Sequence, residues 1–249
     1  MLREERLKKI LTKLELESRV SSTNLMEEFQ VSEGTIRRDL NELEEKGLLK
    51  KVHGGAIPRP EAPSSLDGRM AFATDRKALL AQKAIPLLQD GQLILIDGGS
   101  TNWHIASQIP KNLSLTIFTN SILVVSALAE HKLVDLHFLG GKVFKSSQVT
   151  LGSEVIDALD QVHADLAFVG IRSIHPQLGI STLNREEALV KKRMVHRSSK
   201  SVVLATADKL HTVDHFTICS VKELDLLLVE EGIEKDLLSP FGKQDLRIG

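Results

Sequence analysis

The sequence contains very little cysteine, no excess of charge of one sign and no long apolar run, and each shortage excludes a class of protein. Cys219 is the only cysteine in 249 residues, so an intramolecular disulfide is impossible and a reducing, cytoplasmic location is expected. No apolar run is long enough to span a bilayer, and residues 1–6 do not begin a secretory signal, so no membrane partner is expected. The net charge of −1 makes the chain as a whole a poor general binder of polyanions.

Motifs for metals and nucleotides are also missing from the sequence. No cluster of cysteine and histidine has zinc-ligand spacing, and no P-loop or dinucleotide fingerprint occurs, so neither a metal nor a nucleotide cofactor is expected. Cys219 lies in the apolar–polar alternation of residues 216–219, which is typical of a packed strand rather than of a nucleophile. No residue is assigned a catalytic role.

The first 57 residues have the pattern of three helices followed by a hairpin. Apolar residues recur at helical spacing over 3–16, a serine at 21 or 22 caps a second helix, and Ser32 caps a third. In the third helix Ile36, Leu40 and Leu43 share one inward face, and Gly47 is placed to end it. Residues 48–53 and the Gly-Gly turn after them predict a short β wing. Together these elements predict a winged helix-turn-helix over residues 1–57.

The polar face of the third helix and the wing carry the side chains that bind nucleic acids. Arginine grips guanine or phosphate, asparagine grips adenine, and threonine contacts phosphate or a thymine methyl group. Basic charge is concentrated at the wing, because residues 46–59 carry four lysines or arginines and no acid. A helix whose polar face is merely solvated is the alternative interpretation. The predicted DNA contacts are Ser32, Thr35, Arg37, Arg38, Asn41, Lys50, Lys51 and His53.

Residues 58–73 are predicted to be a linker, since three prolines between 58 and 63 favour a stiff, extended segment. Residues 74–249 then alternate short apolar strands with helical stretches, which predicts an effector-binding α/β domain with a largely parallel sheet. Helices are predicted over 75–89, from 101, from 121 and over 184–196. The predicted strands cover 93–96, 115–118, 134–139, 164–169, 202–205 and 226–229.

Four turns after predicted strands carry glycines and small polar residues. Ligands bind at the carboxyl ends of strands in such sheets, and glycines, hydroxyl groups and helix N-termini favour an anion there. Each turn alone is more often structural, because Gly and Asn are ordinary turn residues. The four together predict a phosphorylated small molecule as the ligand. The turns are Asp97-Gly98-Gly99-Ser100-Thr101, Thr119-Asn120-Ser121, Gly140-Gly141-Lys142 and Thr206-Ala207-Asp208-Lys209.

Residues that carry a family resemblance are spread over nearly the whole chain: Arg6, Ile10, residues 31–32, 35–40, 51–56, 97–101, 119–120 and 140–141, Leu43, Gly47, Arg69, Lys77, Gly152, Gly170, Glu187, Ala188, Lys191 and Lys209. In these residues the chain resembles the DeoR family of bacterial transcription regulators. The resemblance implies that the third helix binds operator DNA. It also implies an effector domain that is similar in fold to ribose-5-phosphate isomerase and senses a phosphorylated sugar or sugar alcohol.

The resemblance also implies roles for single residues of the effector domain. The first turn, from Asp97 through Gly98, Gly99 and Ser100 to Thr101, would hold the phosphate or its neighbouring hydroxyl groups. Glu187 and Lys191 are spaced i, i+4 on a helix, so a surface ion pair is the alternative for this glutamate. The remaining implied effector residues are Thr119, Asn120, Gly141, Lys142, Glu187 and Lys209.

Three places depart from the family pattern. Gly34 stands where a larger polar residue is more usual, which bears on base preference. Residues 171–173 replace the paired aspartates of sugar-phosphate isomerases and the Asp-Gly of many regulators, and Arg172 is either an extra phosphate ligand or a solvated loop residue. Thr206 occupies the place of an aspartate. These departures leave the identity of the effector, and the need for one, open.

The leading hypothesis is a cytoplasmic repressor of a carbohydrate-metabolism operon that a phosphorylated sugar releases from operator DNA. A symmetric dimer or tetramer on an inverted-repeat operator is expected, because the symmetry of such operators mirrors that of the protein. One alternative is a sugar-phosphate isomerase with a DNA-binding appendage, although residues 171–173 lack the carboxylate base that proton transfer requires. The other is an activator, or a regulator that ignores small molecules, and the sequence does not discriminate these.

Overall fold

The computed structural model describes residues 1–17, 19–59, 63, 65–244 and 246–249, and its N-terminal part is a winged helix. Strand β3 pairs antiparallel with both β1 and β2, so the wing is a three-stranded sheet and not a simple hairpin. The predicted order of helix, helix, recognition helix and wing is confirmed. The elements are α1 (Arg3–Glu17), β1 (Val20–Ser21), α2 (Ser22–Phe29), α3 (Glu33–Glu45), β2 (Lys50–Val52) and β3 (Gly55–Ile57).

Local signals set the ends of α3. The Ser32 hydroxyl accepts a hydrogen bond from the Thr35 amide at 3.3 Å, which is the expected N-cap. Gly47 has φ +74°, its amide donates to the Glu44 carbonyl at 2.9 Å, and the Leu48 amide donates to the Leu43 carbonyl at 2.9 Å. This is a Schellman motif, and the left-handed backbone it requires is the reason for glycine at position 47.

A buried ion pair joins the first and third helices across a small apolar core. Arg6 Nε lies 2.5 Å from Asp39 Oδ2, and Arg6 Nη2 lies 3.1 Å from Asp39 Oδ1, so the contact is bidentate. The hydrogen bond to Asp39 raises the pKa of Arg6, against the lowering effect of burial. The core around it is formed by Leu7, Ile10, Leu14, Val20, Leu25, Ile36, Leu40, Leu43, Leu49 and Ala56.

The second part of the chain is built on a seven-stranded sheet in which every pairing is parallel. Its strands are joined by helices, and a hairpin and a small antiparallel sheet are added to it. In chain order the elements are α4 (Leu66–Ala71), α5 (Thr74–Gln82), β4 (Leu93–Ile96), α6 (Ser100–Gln108), β5 (Leu115–Thr119), α7 (Ile122–Leu128), β6 (Val134–Phe138), β7 (Lys142–Phe144), β8 (Val149–Leu151), α8 (Ser153–Asp160), β9 (Leu166–Val169), β10 (Ser173–His175), β11 (Gly179–Thr182), α9 (Arg185–His196), β12 (Ser201–Ala205), β13 (Phe216–Cys219), β14 (Leu226–Val229), α10 (Lys235–Gly242) and β15 (Arg247–Ile248).

The order of the seven strands places a switch point at the centre of the sheet. The order is β15-β14-β12-β9-β4-β5-β6, so the chain runs outward from β4 in one direction and later returns to β9, beside β4, to run in the other. Apolar side chains from α5, α6 and α7 cover one face, and those from α8, α9 and α10 cover the other. A crevice forms where two such strand directions diverge, and in parallel sheets this is where ligands bind.

The α/β fold class with a largely parallel sheet is confirmed, but several predicted elements differ. The helix predicted over 75–89 ends at Gln82, and residues 85–87 form a separate 3₁₀ turn, because Pro86 has no amide hydrogen to continue an α-helix. The predicted linker contains a helix, α4, so it is not extended throughout. Residues 60–62 and 64 of that linker lie outside the described residues, and the domain bounds stay predictions.

The structure also contains elements that the sequence did not predict. These are the hairpin of β7 and β8, the short strands β1, β10, β11 and β15, and the helices α4, α8 and α10. None of the helices in the described part of the chain combines the length and the apolar character that crossing a membrane demands.

Replacing one partner of the buried ion pair should destabilise the winged helix. Arg6→Ala leaves the Asp39 carboxylate buried without its counter-ion, which should lower the free energy of unfolding by about 3 kcal/mol. Hydrogen exchange of the α3 amides in the full chain measures this. Arg3→Ala is the matched control, because Arg3 pairs with Glu42 in solvent and its loss should change little. Equal effects of the two substitutions would contradict the assigned role of the Arg6 pair.

Candidate functional site

A cavity of about 510 Å³ opens at the switch point, above the carboxyl ends of β4 and β9. Its floor is the turn after β4 and the turn after β9. Its walls come from α4, from the loop of residues 145–148 between β7 and β8, and from the start of α9. The volume is typical of small-molecule sites, which lie between roughly 300 and 1,000 Å³.

Asp97 lies beneath the floor of the cavity and joins the two floor turns by hydrogen bonds. Its side-chain oxygen Oδ2 accepts from the Gly170 amide at 2.9 Å and from the Lys191 ammonium. Asn102 adds a second tie, since its amide nitrogen donates to the carbonyls of Asp97 and Phe168, both at 3.0 Å. The ends of β4 and β9 and helix α9 are therefore held in one arrangement by buried polar contacts.

Glycine is required in both floor turns because the backbones approach each other closely. A Cβ atom on Gly170 would lie 2.2 Å from the Gly98 carbonyl oxygen and 2.8 Å from Asp97 Oδ2. A Cβ atom on Gly98 would lie 2.3 Å from a methyl group of Val149. Gly99, the N-cap of α6, has φ +125°, a conformation that other residues rarely adopt. The amides of the first turn of α6 are thereby brought to the cavity floor.

The cavity wall is crowded with cations. The pKa of Lys209 is lowered to about 8, mainly by burial. The charge of Asp208 acts to raise this pKa, and the charges of Lys77 and Arg69 act to lower it. Burial likewise lowers the pKa of Lys77 to about 8. Burial, followed by the charge of Arg172, lowers the pKa of Arg69. An anion in the cavity would offset this mutual repulsion, so the wall favours a negatively charged ligand.

Two further cations of the wall are fixed by buried acids. Lys191 is bonded to Asp97 rather than to Glu187, so the surface pair considered from the helical spacing does not form. Arg172 lies with its Nε atom 3.1 Å from Asp214 Oδ2, and its Nη1 atom donates to the Pro63 carbonyl at 2.8 Å. Arg172 is thus a cavity residue and not a solvated loop residue.

The structure brings about half of the predicted effector residues to the cavity. Gly98, Gly99, Ser100, Thr101, Glu187 and Lys209 line it. Asp97 lies beneath the floor, as described above. Thr119, Asn120, Gly141 and Lys142 lie outside the lining, and whether any of the eleven contacts an effector stays a prediction.

The residues outside the lining are held by the hairpin of β7 and β8. Asn120 donates from its side-chain amide to the Thr150 carbonyl at 3.1 Å, and the Thr119 hydroxyl accepts from the Ser121 amide at 3.0 Å. Gly141 has φ +146°, and a Cβ there would lie 2.9 Å from the Leu151 carbonyl oxygen. Lys142 lines a separate cavity of about 280 Å³. The residues that follow β5 are therefore bonded to β8 of the hairpin rather than open to the cavity.

Sequence reasoning left four cationic wall residues out of the predicted site. Arg69, Lys77 and Lys191 supported the family resemblance but were given no role in ligand binding. Arg172 was considered either as a phosphate ligand or as a solvated loop residue. All four line the cavity. A signal did exist, because Lys77 and Lys191 are basic residues at otherwise inward-facing helix positions and both prove to be buried. No local pattern reveals that α4 reaches the cavity.

The predicted DNA contacts lie on α3, at its N-cap and in the wing, and they differ in exposure. Ser32, Arg37, Arg38 and His53 are exposed, and Thr35 is half-buried beside Ser32. The other three are engaged within the domain: Lys50 lies 3.2 Å from Glu44 Oε1, and the Lys51 ammonium donates to the Asn41 side chain. A DNA phosphate would compete with these partners. A Cβ on Gly34 would meet no atom closer than 3.9 Å, so a side chain would fit there.

A winged helix joined to a domain with a cation-lined cavity is the organisation of a ligand-responsive transcription regulator, and comparison with known proteins identifies the family. Residues 6–59 match the DeoR-like helix-turn-helix domain, and residues 73–231 match the DeoR C terminal sensor domain. The chain therefore belongs to the DeoR family and is a DNA-binding transcriptional regulator. The prediction of a regulator rather than an enzyme is confirmed by this membership.

Relatives match over nearly their whole length. The HTH-type transcriptional repressor GlcR of Bacillus subtilis (strain 168) is 30% identical, with 92% of this chain and 89% of that protein covered. The putative aga operon transcriptional repressor of Escherichia coli O157:H7 is 29% identical, with 98% and 92% covered. Among solved structures, ribose 5-phosphate isomerase A of Methanocaldococcus jannaschii matches with a TM-score of 0.41 at 18% identity, covering 55% of this chain and 54% of the isomerase.

Adding a methyl group at the floor of the cavity should disrupt it. Gly170→Ala forces the turns after β4 and β9 apart, which should lower the free energy of unfolding by about 1–3 kcal/mol. Trp103, the only tryptophan, lies in α6 beside the floor and reports unfolding by fluorescence. The control is Gly140→Ala, where a Cβ atom would meet nothing within 4 Å. A Gly170→Ala protein as stable as this control would show that the close approach is not required.

Proposed function

We propose that this protein represses a carbohydrate-metabolism operon and that a phosphorylated sugar, bound in the cavity at the switch point, releases it from operator DNA. The observation that carries the proposal is the gathering of Arg69, Lys77, Arg172, Lys191 and Lys209 on the wall of one cavity. The names of the relatives support repression, because both reported relatives are named as transcriptional repressors, one of them as the putative repressor of the aga operon.

The ligand's phosphate fits best at the floor, between the N-terminus of α6 and Lys209. The first-turn amides of a helix and the glycines before it favour an anion, and the Ser100 hydroxyl adds a donor. Thr101 Oγ1 is buried and has no hydrogen-bond partner among the described residues, so it is available to a sugar hydroxyl. Glu187 is the one acid from α9 on the wall and is suited to accept from other hydroxyl groups.

On the DNA side, Arg37, Arg38 and Asn41 of α3 read base edges, while the wing residues Lys50 and Lys51 contact phosphates. Ser32, Thr35 and His53 add contacts to the sugar-phosphate backbone of the DNA. The regulator acts as a dimer or tetramer on an inverted repeat, because one winged helix reads only one half-site. A regulator that binds an operator works where the DNA lies, in the cytoplasm.

The test is fluorescence anisotropy of the full chain on labelled DNA from the promoter region of its own gene, titrated at fixed salt with a panel of sugar phosphates. Release of the DNA by one compound, and not by its unphosphorylated parent sugar, is the expected result. Tight binding that no compound changes would instead favour a ligand-independent regulator. Transcript levels after deletion of the gene separate a repressor, whose targets rise, from an activator, whose targets fall.

Substitutions in α3 and in the wing should affect DNA binding in different ways. Arg38→Ala should weaken binding to the operator by about 1–3 kcal/mol and leave non-specific DNA nearly unchanged, because an exposed arginine there reads a base. Lys50→Ala should weaken binding to all sequences alike and reduce the salt slope by about one. Parallel titrations on operator and scrambled duplexes at several salt concentrations measure both effects. A uniform loss for Arg38→Ala would reassign it to phosphate.

Binding of phosphate should weaken at alkaline pH. Lys77 and Lys209, whose pKa values are lowered to about 8, are charged below that pH and lose the charge above it. A phosphate monoester is already a dianion at neutral pH, with a second pKa of about 6, so only the lysines change. Affinity should fall roughly tenfold or more between about pH 7.5 and pH 9.5. Calorimetry across this range measures the affinity for phosphate. Lys209→Gln should bind phosphate more weakly, and its affinity should depend less on pH. An affinity of the unaltered chain that does not change with pH would contradict the proposal that Lys77 and Lys209 bind the phosphate.

A further inference from the structure

The segment that connects the two parts of the chain is also a wall of the cavity. Strand β3 of the winged helix ends at Ile57, and α5 of the effector domain begins at Thr74. Between them, Ser65, Leu66, Asp67 and Arg69 line the cavity. Any ligand that fills the cavity therefore touches the piece of chain through which the effector domain is joined to the DNA-binding domain.

Two cations of the wall hold this segment by its backbone. Arg172 Nη1 donates to the Pro63 carbonyl at 2.8 Å. Lys77 Nζ donates to the carbonyls of Arg69 and Phe72, both at 2.5 Å, which are at the C-terminal end of α4. Arg172 and Lys77 also line the cavity, so each has one side toward the linker carbonyls and one side toward the space that a ligand would fill.

We propose that a bound anion competes with the carbonyls of Pro63, Arg69 and Phe72 for Arg172 and Lys77, and that this competition transmits occupancy of the cavity to the DNA-binding domain. A phosphate oxygen carries negative charge, so it attracts a charged donor more strongly than a neutral carbonyl oxygen does. When the two cations turn to the phosphate, the segment loses one bond before α4, at Pro63, and two at the C-terminal end of α4. The inference rests on the proposed function, since it presumes an anion in this cavity.

The anchoring of Arg172 makes the exchange possible without losing the residue from the site. Its Nε atom stays at Asp214, which is itself fixed by the Ser173 hydroxyl at 2.8 Å and by its own amide, which donates to the Ser181 hydroxyl at 2.9 Å. Arg172 can therefore release Pro63 while remaining on the wall. The arginine at position 172, a departure from the family pattern, becomes the residue that senses both ligand and linker.

Gly68 gives a way to test the competition without altering any cation. A Cβ atom on Gly68 would lie 2.6 Å from Pro63 Cβ and 2.9 Å from Ser65 Oγ, so alanine there must displace Pro63, whose carbonyl accepts from Arg172, and is expected to weaken that bond. Coupling between two sites is reciprocal. Gly68→Ala should therefore bind inorganic phosphate roughly 5-fold or more tighter and promoter DNA weaker by a similar factor. Gly242→Ala, also a helical glycine but with nothing within 4 Å, is the matched control and should change neither.

The deciding measurement is hydrogen exchange of the full chain with and without millimolar inorganic phosphate, and it needs no substitution. Phosphate should protect the amides of residues 99–103 and speed exchange in residues 66–72. Protection at 99–103 with unchanged exchange at 66–72 overturns the coupling and leaves the anion site standing. No protection at 99–103 overturns both the coupling and the proposed function. A folded Gly68→Ala protein that matches Gly242→Ala in both affinities also overturns the coupling.

Discussion

One oxygen of the buried Asp97 side chain accepts hydrogen bonds from the Gly170 amide and the Lys191 ammonium, and this contact joins the ends of β4 and β9 to α9. The other features of the cavity depend on it. The turns can approach so closely only because Gly98 and Gly170 lack side chains, and the approach leaves the N-terminus of α6 facing the open space. Without the carboxylate, Lys191 would be a buried charge with no counter-ion, so floor and wall are stabilised by the same group.

The wall is built from charges that repel one another, and their partners explain why it is stable when empty. Lys191 is paired with Asp97, and Arg172 is paired with Asp214. Lys77 donates hydrogen bonds to two backbone carbonyls. Lys209 is left with the weaker support of Asp208, and burial lowers its pKa as far as that of Lys77. These partners keep the cations at the cavity wall, so an arriving anion meets donors that are already close to it. Among them, Arg172 and Lys77 also bond the carbonyls of Pro63, Arg69 and Phe72, and these are the bonds for which an anion would compete.

Sequence patterns predicted the features that short stretches of chain determine by themselves. Ser32 and Gly47 fix the ends of α3 through bonds to residues three to five positions away, and the first turn after β4 opens a helix as expected. Features that depend on distant partners were missed. The i, i+4 spacing of Lys191 from Glu187 gives no hint of Asp97, and Asn120 is covered by a hairpin whose strands are only three residues long. Helix α4 follows a proline-rich stretch and is too short for a periodic pattern.

The winged helix is itself restrained in a way that suits control by a small molecule. Lys50 is paired with Glu44 and Lys51 with Asn41. If these lysines contact DNA phosphates as proposed, DNA of any sequence would have to displace the same internal partners. This lowers affinity for all DNA without changing the preference for one sequence over another. A ligand shifts binding only by its coupling free energy, typically about 1–3 kcal/mol. A domain that bound DNA with every lysine unopposed would stay on its operator through a change of that size, whereas a restrained one can be released.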